Sequence, residues 1–161
     1  MNHHALSCLA LTLVAGLSAM SVAAGPIPFH YQNAAGFCQA ALPAFEGNLR
    51  KRPTAIANEG TSNAFVSCSL PGESAVPITS VLLRIYNRGA AEANVTCSLV
   101  SSSQPGGMVI PKTVTVPAAS NEYVEWLPTD IGPEEVHMGA LNFSCNLVPG
   151  TDINSALFFE L

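Results

Sequence analysis

The chain has 161 residues, 48% of them hydrophobic and only 11% charged, with a formal net charge of −5. That length accommodates one domain with a sizeable core and is short for two. Six Lys and Arg against eleven Asp and Glu exclude a module that neutralises nucleic-acid phosphates with a basic face, and the hydrophobic content excludes a charge-rich disordered chain.

Residues Ala5 to Ala24 read ALSCLALTLVAGLSAMSVAA, an apolar run followed by Gly25-Pro26 and Pro28. Proline there stops any helix that the run forms. Val22-Ala23-Ala24 supplies small or β-branched residues at a cleavage boundary, so residues 1–24 are expected to be a signal peptide removed after Ala24. No later stretch approaches eighteen uninterrupted apolar residues, so no transmembrane segment is expected after cleavage. The mature chain is expected to be periplasmic or secreted. Cleavage removes Cys8 and leaves Cys38, Cys68, Cys97 and Cys145. Four cysteines in an exported chain imply two disulfides, with three connectivities open. Their wide spacing lacks the close ligand pairs of a zinc site, so no metal and no cofactor are expected.

Gly25 to Gly36 (GPIPFHYQNAAG) shows no periodicity and reads as an irregular N-terminal arm, with the remaining residues 37–161 forming one disulfide-stabilised domain. Ala44–Leu49 is ambiguous and reads at most as an edge strand. Beyond Pro53, apolar residues alternate at Val66, Cys68 and Leu70; at Val81, Leu83 and Ile85; and at Val95, Cys97 and Leu99. The alternation continues at Val114 and Val116, at Val124 and Trp126, at Leu141, Phe143, Cys145 and Leu147, and at Leu157, Phe159 and Leu161. Ser, Thr, Asn and Glu fill many of the places between, as a strand buried on one side requires. Turn chemistry separates the segments, at Pro71-Gly72, Asn87-Arg88-Gly89, Gln104-Pro105-Gly106-Gly107 and Pro149-Gly150 among others. The expected fold is all-β: an antiparallel β-sandwich, Ig-like or related, with about seven to eight strands.

Three of these segments, Val66-Ser67-Cys68-Ser69-Leu70, Val95-Thr96-Cys97-Ser98-Leu99 and Phe143-Ser144-Cys145-Asn146-Leu147, place cysteine on the apolar face. Their sulfurs should enter the core, where one sheet can meet the other. Cys97–Cys145 is the favoured bridge because it joins two well-marked strands, leaving Cys38–Cys68 to tie down the N-terminal segment. These strands, together with Lys112–Pro117 (KTVTVP) and Val124-Glu125-Trp126, resemble those of small secreted bacterial proteins of unassigned function. The resemblance runs from Cys38 to Leu161 and implies an exported β-sandwich without assigning a functional residue.

Catalytic patterns are thin. After cleavage two histidines remain, His30 and His137, with two aspartates, Asp130 and Asp152, and no serine lies in a G-x-S-x-G elbow. The non-enzymatic reading is therefore preferred, with a dispersed hydrolase site around His137 and Asp130 as the alternative. Arg50-Lys51-Arg52 gathers half of the positive charge; it is either an anion contact or a charged loop that blunts a sheet edge. If Val124 and Trp126 point inward, Tyr123 and Glu125 point outward, and Tyr123 becomes a candidate ligand contact. The expected function is an exported binding or envelope component whose partner is an unidentified protein or glycan. A self-associating subunit is the further alternative, resting on the apolar terminal strand Ala156–Leu161, where Phe158 and Phe159 point opposite ways and an exposed Phe158 would suggest a partner, although burial on both sides is preferred.

Overall fold

The computed structural model describes residues 29–70, 78–101, 108–131 and 141–160. In chain order these form β1 (Phe29–Asn33), the short helix α1 (Ala34–Phe37), β2 (Cys38–Ala40), β3 (Leu49–Lys51), β4 (Ile56–Asn58), β5 (Ala64–Leu70) and β6 (Ile78–Asn87). There follow β7 (Ala93–Ser101), β8 (Met108–Val116), β9 (Ser120–Trp126), the helical turn α2 (Pro128–Ile131), β10 (Leu141–Leu147) and β11 (Thr151–Glu160). No described helix is long and apolar enough to cross a membrane.

The strands build two antiparallel sheets. One runs β3-β4-β11-β6-β9, with β1 also paired to β11. Because β4 pairs with Asp152 and Ile153 and β1 pairs with Ser155 to Phe159, two short strands share one edge of β11. The other sheet runs β2-β5-β10-β7-β8. From β4 onward most consecutive strands alternate between sheets, giving β4-β11-β6-β9 over β5-β10-β7-β8. This is the double Greek-key order of a jelly roll rather than the Ig order, in which successive strands A and B lie in one sheet.

Alternating inward residues from both sheets form one cluster, including Val66, Leu83, Ile85, Leu99, Trp126, Phe143, Leu147, Ile153 and Phe158. Trp126 is fully buried, and its Nε1 donates to the Ile110 carbonyl at 2.9 Å, joining β9 to β8 across the sheets. Lys112 Nζ adds a second tie to the Glu125 carbonyl at 2.7 Å. At the start of β11 the chain turns through Gly150 with φ 83°, a conformation glycine adopts without strain.

Three details differ from expectation. The described residues hold eleven strands, because β1 to β4 are too short to show alternation, and residues 29–33 of the expected irregular arm are strand β1. The disulfides are Cys38–Cys68 and Cys97–Cys145 as favoured, but neither joins the two sheets. Each links directly opposed residues on neighbouring strands of the five-stranded sheet, with Cα separations of 4.1 and 4.0 Å. Strand order decides this: β2 lies beside β5 and β7 beside β10.

The third difference concerns β11. Simple alternation puts Leu157 and Phe159 inside, yet Ala156 and Phe158 are the buried residues. The pairing of β11 with β6 shifts between Ile153 and Ser155. One extra residue at this bulge, Asn154, reverses the facing of everything after it. Ile153 and Phe158 thus both face the core, and Leu157 and Phe159 turn to the outer face.

Candidate functional site

Outward residues of the six-stranded sheet form cross-strand rows. Tyr31, Leu157, Leu82 and Glu125 make one row, and Asn33, Ser155, Arg84 and Tyr123 make the next. Phe29 opposes Phe159 beyond the first row, with ring centroids 6.3 Å apart. Phe29 is 62% exposed, Tyr31 57% and Tyr123 47%. Leu82, Leu157 and Phe159 are half-buried between them. From β1 to β9 is three strand spacings, about 14 Å. The result is a face with rings toward both edges, a lower aliphatic floor, and Asn33, Asn121, Arg84 and Glu125 interspersed. Arg84 is exposed, and its Nε donates to Asn121 Oδ1 at 3.2 Å.

The next row, Arg50, Ala57, Asp152, Tyr86 and Asn121, ends the face in a charged cluster. Arg88 Nη2 lies 2.7 Å from the nearly buried Asp152 carboxylate, and Arg88 Nη1 lies 3.6 Å from Glu59, which also pairs with Arg52. Burial pushes the Asp152 carboxyl up while Arg88 opposes that shift. The hydrogen bond from Arg52 holds Glu59 below its ordinary value, with Arg88 adding to it. This network occupies its own charges.

The four expected contact residues do not converge. Tyr123 belongs to the ring-bearing face. Arg50 lies on β3, at the far side of the sheet from β9, and its Nη1 donates to the carbonyls of Leu49 at 2.9 Å and Glu46 at 3.3 Å. Alternation sends Lys51 the other way, where it lines a cavity of about 540 Å³ with Gln39, Leu42, Glu46, Leu49 and Ile56. Arg52 is held by Glu59. Arg50 thus bonds backbone carbonyls beside β3, an edge strand of the sheet.

Asp130 caps the α2 turn: its Oδ2 accepts from the Leu127 N–H at 2.7 Å and from Lys112 Nζ at 2.5 Å. The Lys112 hydrogen bond, followed by that from Leu127, holds its carboxyl below the ordinary value. His137 lies outside the described residues, as does most of the 101–107 loop. Among the described residues no group of three His, Cys, Asp or Glu is placed to hold a metal.

Sequence reading missed Phe29, Tyr31, Leu157 and Phe159 as members of this face. It also missed two buried asparagines that bind the sheets together. Asn58 Nδ2 donates to the Leu147 carbonyl at 2.8 Å, and Asn87 Nδ2 to the Val116 carbonyl at 3.0 Å. Each sits two residues before a glycine whose N–H its Oδ1 accepts, at 3.0 Å for Gly60 and 2.8 Å for Gly89. The repeated Asn-x-Gly was the available signal.

Fold and face together define a disulfide-stapled β-sandwich with an aromatic outer surface. No family model matches the chain, and no curated protein matches it. Among solved structures, it is similar to the C-terminal carbohydrate-binding module of a marine laminarinase from Zobellia galactanivorans, at 11% identity and TM-score 0.48, covering 82% of this chain and 99% of that one. It is similar to a carbohydrate-binding module of Cellvibrio mixtus lichenase 5A, solved with cellotriose, at 10% identity and TM-score 0.44, covering 82% and 97%. An exo-β-1,3-galactanase from Phanerochaete chrysosporium matches at 14% identity and TM-score 0.47 over 81% of this chain but only 29% of that one. At these values none of them assigns a ligand.

Proposed function

We propose that the protein is an exported, non-catalytic binding protein that holds glycan chains on the outer face of its six-stranded sheet. One observation carries this reading: Phe29, Tyr31 and Tyr123 stand exposed on the same face. Three exposed rings on one sheet face are costly to leave in water. A sugar ring offers a C–H face to an aromatic ring and hydroxyls to the amides beside it. Asn33 and Asn121 are placed to meet those hydroxyls. Tyrosine suits such a half-wet contact because its body is apolar and its tip polar. Two disulfides support export, since they persist in oxidising compartments, and the expected signal peptide agrees with that.

The test is affinity electrophoresis of the mature protein through gels containing a panel of soluble polysaccharides. Retardation by at least one polymer is expected, and Tyr31→Ala and Tyr123→Ala are each expected to weaken it about tenfold with unchanged thermal midpoints. Retardation by none, or retardation that both variants preserve, refutes the reading. The apolar members Phe29, Leu82, Leu157 and Phe159 also suit a second copy packed face to face. Sedimentation velocity separates the two: a dimer that Tyr31→Ala dissolves favours the self-associating subunit.

A further inference from the structure

We infer that the glycan bound on this face is acidic, and that Arg84 recognises a uronate carboxylate lying between Tyr123 and the aliphatic floor. The inference rests on the glycan-binding reading. Of the six Lys and Arg in a chain of net charge −5, four are committed internally, and Lys51 lines the cavity on the opposite face of β3. Arg52 and Arg88 pair with Glu59 and Asp152, Lys112 pairs with Asp130, and Arg50 is bonded to backbone carbonyls. Arg84 differs. Among the described residues it forms no ion pair and meets no backbone carbonyl; its partner is the neutral amide of Asn121.

That bond fixes Arg84 through Nε and leaves both terminal nitrogens for a planar acceptor. A guanidinium so oriented matches a carboxylate through two parallel hydrogen bonds. Its accessible neighbours are Tyr123 directly across on β9 and Leu82 two residues along, while Ser155, across on β11, is buried beneath the face. Glu125 lies diagonally, two residues from Tyr123, and makes no ion pair with Arg84 among the described residues. A protein partner of matching acidity would favour an apolar centre with charges at the rim. Here the unpaired charge lies, across the strands, between the rings of β1 and Tyr123 of β9, an arrangement that fits a chain of alternating apolar and hydroxylated faces bearing one carboxylate.

The experiment measures binding of wild type, Arg84→Gln and Arg84→Lys to polygalacturonate, alginate and hyaluronan, each beside its carboxyl-reduced neutral form. Poly-glutamate serves as the protein-like polyanion and Arg50→Gln as the charge-matched control. Wild type is expected to prefer at least one uronate polymer over its reduced form by about tenfold, and less so as salt is raised. Arg84→Gln should abolish that preference while keeping binding to the neutral polymer. Arg84→Lys should restore only part of it, and Arg50→Gln should behave as wild type. Equal binding to acidic and neutral polymers, or a preference that survives Arg84→Gln, overturns the role of Arg84 and leaves the glycan reading standing. Poly-glutamate bound as tightly as any uronate overturns the choice of a glycan. Binding to none of the polymers overturns both.

Discussion

Replacing Asn87 with alanine tests how the two sheets are held together at one end of the sandwich. Asn87 closes β6 and is 1% exposed. Its amide donates to the Val116 carbonyl on β8 at 3.0 Å and to the Ala91 carbonyl at 2.8 Å, and its Oδ1 accepts from the Gly89 N–H at 2.8 Å. Alanine removes these three bonds and a longer one to the Pro117 carbonyl at 3.3 Å, and gives none of the backbone groups a new partner. At about 1 kcal/mol per bond the loss is about 3 kcal/mol, with a larger value where a group left behind stays dry. For a domain of this size that lowers the thermal midpoint by roughly 6–12 °C. Urea unfolding followed by tryptophan fluorescence reads the change directly, because Trp126 is buried in the same core. Asn94→Ala is the control. Asn94 is exposed and bonded to the Thr115 hydroxyl on the neighbouring strand of the same sheet, so its loss should cost no more than about 0.5 kcal/mol. Equal costs at the two positions would refute the argument that Asn87 acts by satisfying buried backbone groups between sheets.

The disulfides close loops of 30 and 48 residues in sequence separation, so loop-closure entropy assigns each about 4 kcal/mol. Cys38→Ala/Cys68→Ala and Cys97→Ala/Cys145→Ala should each lower the urea midpoint accordingly, and a loss under about 1 kcal/mol in either would contradict that assignment. Asp130, whose carboxyl is held down chiefly by Lys112, contributes stability above its unfolded value of about 4 that disappears as pH falls through its lower folded value. Lys112→Met should therefore be less stable than wild type at neutral pH, with the gap in thermal midpoint closing as pH falls below about 4. A gap that does not change with pH would place the effect of Lys112 in its bond to the Glu125 carbonyl alone.

Part of the candidate site is legible in the amino-acid sequence. Tyr123 precedes Val124 on a strand whose inward members are clear, so its outward direction follows from period-two alternation. Arg50-Lys51-Arg52 stands out as a charge run, but alternation on β3 splits Arg50 from Lys51, and the run contributes no common surface. Arg84 cannot be singled out in this way. Its distinction is to lie beside Tyr123 on the ring-bearing face with no carboxylate partner among the described residues, which is a statement about three-dimensional neighbours.

Local alternation and composition suffice for the antiparallel β-sandwich, for the cysteines that face the core, and for Trp126 as a core residue, because none of these depends on which strands are neighbours. Three further matters depend on contacts distant in the chain. Strand order places both disulfides within one sheet. Pairing with the edge of β11 turns five residues of the N-terminal segment into β1, since a strand that short has little stability of its own. Above all, the bulge sets the facing of β11. Read linearly, Leu157 and Phe159 continue the inward series from Ile153. The bulge at Asn154 inserts one unpaired residue, exchanges the two faces, and presents those side chains beside Tyr31 on the outer surface. A period of two has no memory of which face it began on, so a single inserted residue moves the site to where it is.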